Sequence, residues 1–273
     1  MRSPPRSPYL RRRPNLDDRF YPILASVGRV TVEGQHGTRS AVGDLRTVTG
    51  RRSGLVASAL LMISALLQGA AAAQRWVFAD PEDLGSDRNI EDHLFDYVIP
   101  ADPWVSVGSA AILFGLSYLL VGGALVCLGV AGRAIGGRVQ GILAMAMVAA
   151  APFVLIGLHA LVSGLAGVPT PVQHLIATYG AVFVGAFQVV VLVVFAVFIA
   201  VRSWIWAVGV LLLIGDSLFG SVGAVFFVAP IIVGYQSYDT TPWTEGVLAA
   251  ATAVAAVTVC IGALRLPAAP TSR

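Results

Sequence analysis

Residues 181–228 read AVFVGAFQVVVLVVFAVFIAVRSWIWAVGVLLLIGDSLFGSVGAVFFV. Their only charged side chains are Arg202 and Asp216. Two apolar runs, 175–201 and 204–228, meet at the turn Arg202-Ser203. Each is longer than the roughly 20 residues that, at about 1.5 Å per residue, cross about 30 Å of hydrocarbon. Backbone amides in lipid must be satisfied within their own segment, so each run is expected to be a helix. The tight joint makes them an antiparallel pair.

Working outward, four further runs of similar character cover 54–73, 105–131, 139–166 and 243–264. The expected fold class is all-α, a polytopic membrane bundle of six transmembrane helices. The short alternating segments of a membrane barrel are absent. Residues 1–50 carry Pro4, Pro5, Pro8, Pro14 and Arg11-Arg12-Arg13, and are expected to form a disordered Arg/Pro-rich cytoplasmic tail. Residues 51–266 form the transmembrane domain, with an acidic external loop at 74–104. Residues 267–273 are a short cytoplasmic tail.

Composition agrees. The 273 residues are 56% hydrophobic and 12% charged, with a mean hydropathy of +0.78, whereas a soluble domain carries about a quarter charged residues. The net charge of +3 comes from arginine alone, and eleven of the eighteen arginines precede residue 54. The others sit mostly at the ends of apolar runs, a distribution suited to orientation and to anionic lipid, not to nucleic acid. Arg133, Arg138, Arg202 and Arg265 share one side with the N-terminal tail if six crossings occur, so both termini are expected in the cytoplasm. The opposite loops hold Arg75 and Arg88 among many carboxylates. All five tryptophans, Trp76, Trp104, Trp204, Trp206 and Trp243, fall at run ends, where an amphipathic indole prefers to sit. The last run opens with Thr241-Pro242 and Glu245, read as a cap, a first-turn proline and a carboxylate at the positive end of the dipole. Arg51-Arg52, the first run and Ala71-Ala72-Ala73-Gln74 also fit a cleaved signal peptide, but the run is longer than the apolar core of such a peptide.

Four features carry chemical interest. Gly108, Gly115, Gly122 and Gly129 are spaced by seven and lie on one helical stripe, which forms either a contact within the chain or a groove for a second copy. Asp216 lies about 16 Å into its run, near the midplane, on a stripe with Gly209, Gly220 and Gly223 that faces other helices. Gln188 is about as far before the Arg202-Ser203 turn as Asp216 is after it, so a carboxyl–carboxamide hydrogen bond between them is expected. His159, with Ser163 one turn away, lies near the outer end of the third run and could join His174 at a small vestibule. The stretch Asp80 to Glu91 mimics a calcium loop, but Leu84 stands at a ligand position and Asp87 at an apolar one. No metal site, cofactor motif or catalytic signature is found.

The layout resembles the bacterial six-helix membrane family called domain of unknown function 998. The resemblance spans roughly 54–266 and rests on Asp83-Leu84-Gly85, on the region of His159 and His174, and on Trp243-Thr244-Glu245-Gly246. The family shows Ser before its Asp-Leu-Gly, where this chain has Glu82. It implies the six-helix fold and no established activity.

The sequence alone points to a multi-pass protein of a bacterial plasma membrane, with the lipid bilayer and a second copy or another membrane protein as partners. It favours a non-catalytic partner, assembly or sensing role. A small-solute or proton-coupled permease using Asp216 is the alternative, and an intramembrane enzyme comes third.

Overall fold

The computed structural model describes residues 21–78, 100, 104, 106–136, 141–234 and 241–266. Among these residues every regular element is helical. Two compact units are distinguished, Met1–Leu45 and Arg46–Arg273. Helix α1, Tyr21–Ala73, begins in the first unit and continues through the second. The expected disordered tail is therefore corrected from residue 21 onward. The physical reason is proline placement: Pro22 stands in the first turn, where a missing amide costs nothing, and no proline follows until Pro81. The tail residues 1–20 and 267–273, the calcium-like stretch and most of the 74–104 loop lie outside the described residues.

In the second unit, α1 is prolonged by a wide π-turn over Gln74–Phe78. Then come α2 (Ala110–Gly136), α3 (Gly141–Ala166), α4 (Val172–Tyr179) and, after a second π-turn at Gly180–Val184, α5 (Gly185–Ala200). They are followed by α6 (Trp204–Leu212), α7 (Leu218–Gly223), a third π-turn at Ala224–Val228, α8 (Ala229–Val233) and α9 (Thr244–Leu264). Four helical stretches, Leu45–Phe78, Ala110–Gly136, Gly141–Ala166 and Thr244–Leu264, are long and apolar enough to cross a membrane. The runs 175–201 and 204–228, expected as unbroken helices, are instead interrupted, and leave shorter apolar helices at Gly185–Ala200 and Leu218–Val233. Outward positions such as Leu66, Leu165, Val197, Phe227 and Ile231 are exposed and apolar. These features suit a helical membrane bundle.

Helices α2 and α3 approach closely, and glycine is the reason. A Cβ on Gly115 would lie 2.5 Å from the Leu161 nitrogen and 2.7 Å from the Gly157 oxygen. One on Gly122 would meet Val154 at 2.9 Å, and one on Gly129 would meet Ala146 at 2.5 Å. The stripe is thus consumed inside the chain, and Gly157 completes it from the facing helix. Gly108 does not belong to it: it precedes α2 in a turn with φ of 52°, beside Gln74.

At one end of the unit Arg202 donates to the Gly136 carbonyl at 3.2 Å, and Arg46 and Arg133 line one cleft, so these arginines gather together. Ser203 caps α6 by accepting from the Trp206 amide. Trp206 corrects the reading of tryptophans as surface anchors. It is fully buried, donates to the Val259 carbonyl at 3.1 Å, and fills the space left by Gly54 and Gly262. The start of the last helix differs too. Trp243, at φ 68°, takes the cap position, Thr241 donates to the Val225 carbonyl, and Pro242 precedes the helix.

Adding a methyl group at Gly115 (Gly115→Ala) should cost about 1–3 kcal/mol in detergent unfolding, because it meets backbone that cannot yield. Gly69→Ala, whose methyl group meets nothing within 4 Å, should be neutral or stabilising by about 0.5–1 kcal/mol.

Candidate functional site

The fifth run is interrupted at its carboxylate. Gly215, Asp216 and Ser217 are poor helix-interior residues, and Asp and Ser offer the backbone local partners instead. After α6 the bonding tightens: the amides of Leu213, Ile214, Gly215, Asp216 and Ser217 each reach three residues back, at 3.0–3.1 Å. Ser217 then leaves the helical region at φ −77°, ψ 164° and caps α7, its hydroxyl accepting from the Gly220 amide at 3.1 Å. Gly220 permits the step, since a Cβ there would collide with the Ile214 and Gly215 carbonyls.

Asp216 is fully buried, and its carboxyl group is met by two other helices. From α1, the Gln68 side-chain amide donates to Oδ1 at 3.2 Å and to Oδ2 at 3.1 Å. From α9, the Thr252 hydroxyl lies 3.1 Å from Oδ2 and 3.4 Å from Gln68 Oε1. Its own backbone carbonyl accepts from the Tyr118 hydroxyl of α2 at 2.8 Å. Tyr118 is held in place by Phe114 and Phe153, with ring centroids 4.8 and 5.6 Å away. Ser64, one turn before Gln68, donates to the Ser117 carbonyl and ties α1 to α2.

The expected Asp216–Gln188 hydrogen bond is corrected. Depth matching placed Gln188 well, for it is buried beside the break, but its Oε1 accepts from the Leu218 amide at 3.0 Å. That amide opens α7 and has no carbonyl one turn back, so it takes the nearest acceptor. That bond uses the oxygen of Gln188 and leaves its amide nitrogen without a partner among the described residues, while the carboxyl group is met by the donors of α1 and α9. Gln68, Thr252 and Tyr118 were not singled out from sequence. The same depth count, applied across all runs and not only the neighbouring one, brings Thr252 to about 18 Å and Gln68 to about 21 Å from the arginine-bearing ends of their runs.

A second polar tier lies toward the other end of the bundle. Arg75 pairs with Glu245 at 2.8 Å, with both side chains almost wholly buried. Trp76 donates to the other Glu245 oxygen at 2.9 Å, and the Arg75 guanidinium lies 4.5 Å from the Trp76 ring centroid. The proposed vestibule is rearranged. His159 Nδ1 lies 2.6 Å from the Thr170 hydroxyl, and the Thr170 amide donates to Ser163 at 3.2 Å. His174 is exposed, and no bond joins it to His159 among the described residues. Among those residues no three His, Cys, Asp or Glu side chains gather as metal ligands.

Chemically, the Asp216 cluster is a carboxyl group between an amide and a hydroxyl, each able to donate or accept. Such a set accommodates either protonation state without moving a helix. No family model, curated protein or solved structure matches the chain.

In a double-mutant cycle, Asp216→Ala with Gln68→Ala should show a coupling of about 0.6–1.7 kcal/mol, the range for hydrogen bonds between membrane helices. The same cycle with Gln188→Ala should show a smaller coupling, carried only through the backbone at Leu218.

Proposed function

We propose that the chain is a six-span protein of a bacterial plasma membrane, with both termini in the cytoplasm, that moves a proton or small cation by way of Asp216. The passage serves either the ion alone or a small solute coupled to it. The observation that carries the reading is the interruption of the fifth span at its one buried carboxylate. Membrane carriers build their sites at helix breaks near the midplane, where freed backbone groups and a few polar side chains converge. Carboxyl groups inside such bundles mark proton and ion routes. The four remaining spans follow from the long apolar helices, and α4–α5 and α6–α8 supply the two that are jointed. Orientation rests on the arginines, since Arg46, Arg133 and Arg202 gather at one end.

A second reading is favoured by the completeness of the Asp216 bonding. Its carboxyl oxygens are enclosed and held by Gln68 and Thr252. That would suit a non-catalytic partner or sensing protein in which the cluster only fixes the spans. The glycine stripe gives this reading less support than it had, because α3 occupies it.

Reconstituted in liposomes with a pH-sensitive dye inside, the protein should dissipate an imposed proton gradient, and Asp216→Asn should fall to the rate of empty liposomes while keeping its unfolding temperature. Gradient decay no faster than that of empty liposomes with wild-type protein would favour the second reading. In intact cells, Ala134→Cys should resist a membrane-impermeant thiol reagent; labelling from outside would reverse the orientation.

A further inference from the structure

Helices α1 and α9 run antiparallel, and their polar residues are in register. Gln68 on α1 and Arg75 in the π-turn that prolongs it are seven apart, and Glu245 and Thr252 are seven apart on α9. Gln68 meets Thr252, and Arg75 meets Glu245. Seven residues are nearly two turns, so the two tiers share one seam about 10 Å apart along it. Between them Ala71, Ala72 and Leu248 are fully or almost fully buried. Buried side chains therefore close the seam between the Arg75–Glu245 tier and the Asp216 carboxyl group.

A buried ion pair is a poor way to hold two helices together. Removing both charges from water costs about as much as their attraction returns, and apolar residues of similar volume do as well or better. What the pair does supply is two states. In the structure the pair is shut away from solvent; parted, its charges would return to water. The Trp76 ring lies against the guanidinium and its indole donates to the carboxylate, so the closed state is capped on two sides.

We propose that the Arg75–Glu245 pair, capped by Trp76, is the outer gate of the Asp216 site, and that opening it admits water along the α1–α9 seam. The proposal rests on the reading of Asp216 as an ion site and assigns the side from which that site is reached. The structure then represents the outward-closed state.

The test uses the full chain in lipid nanodiscs, with Cys127 and Cys260 replaced by serine and Ala71→Cys as reporter. Both faces are open to solvent there, so the result does not depend on orientation. A charged maleimide should label the reporter slowly in this parent. Glu245→Gln should speed labelling about tenfold or more, the effect of losing about 1.4 kcal/mol of closure. The charge-swapped pair, Arg75→Glu with Glu245→Arg, should slow it again. If Glu245→Gln is recovered only as aggregate, Trp76→Phe, which removes one bond to Glu245, should give a smaller acceleration. Labelling unchanged in the folded single variant, or as fast in the swapped pair as in Glu245→Gln, would overturn the gate. Proton flux is read separately. Fast labelling of Glu245→Gln with no flux from any variant would leave the gate standing and remove the transport reading.

Discussion

A carboxyl group buried away from solvent must find its hydrogen-bond donors within the protein. That requirement at Asp216 orders much of the bundle. The Gln68 amide and the Thr252 hydroxyl come from α1 and α9, and Tyr118 reaches the same residue from α2. Gln188, from α5, holds the first amide beyond the break. Sequence-distant helices thus meet at one point, and the glycine contacts of α2 with α3 and the Trp206 contact with α9 pack around it. The interruption of the 204–228 run belongs to the same constraint. Leaving the helix at Gly215-Asp216-Ser217 frees backbone groups, and Ser217, Gln188 and Tyr118 take up three of them.

Much of this architecture was legible in the residues. Hydropathy located the runs and the turn at Ser203, and depth counting put Gln188 beside the break. The fine structure was not, and for physical reasons. Run length measures composition, not hydrogen bonding, so 204–228 read as one helix although Gly215, Ser217 and Gly220 are the residues that divide it. The π-turns at Gly180–Val184 and Ala224–Val228 have no comparable marker. Spacing by seven carried the glycine stripe one step too far, to Gly108, because periodicity does not say where a helix starts. Trp206 was placed at a run end correctly, but run position does not tell which way a ring faces. Gln68 and Thr252 stayed hidden because the partner was sought only in the adjoining span. Glu245 was read as a dipole partner, and its ion pair with Arg75 depends on the register of two helices 170 residues apart.

The departures from regular helix also say where the bundle can yield. Wide turns and breaks are the usual places for helices to bend. Here they flank α5 on one side and enclose α7 on both. The α2–α3 pair, by contrast, is locked by backbone contact along its length. The bundle thus sets a rigid helix pair beside jointed helices. The second tier, Arg75 with Glu245, joins α9 to the π-turn that ends α1.

The most direct test of the Asp216 cluster is a nitrogen–carbon dipolar coupling measured by solid-state NMR on protein in lipid bilayers, labelled with 15N in glutamine side chains and 13C in aspartate carboxyl groups. A close coupling between an amide nitrogen and the Asp216 carboxyl carbon, lost in Gln68→Leu and kept in Gln188→Leu, is expected. A coupling that survives loss of Gln68 and disappears with Gln188 would contradict the arrangement on which everything above depends.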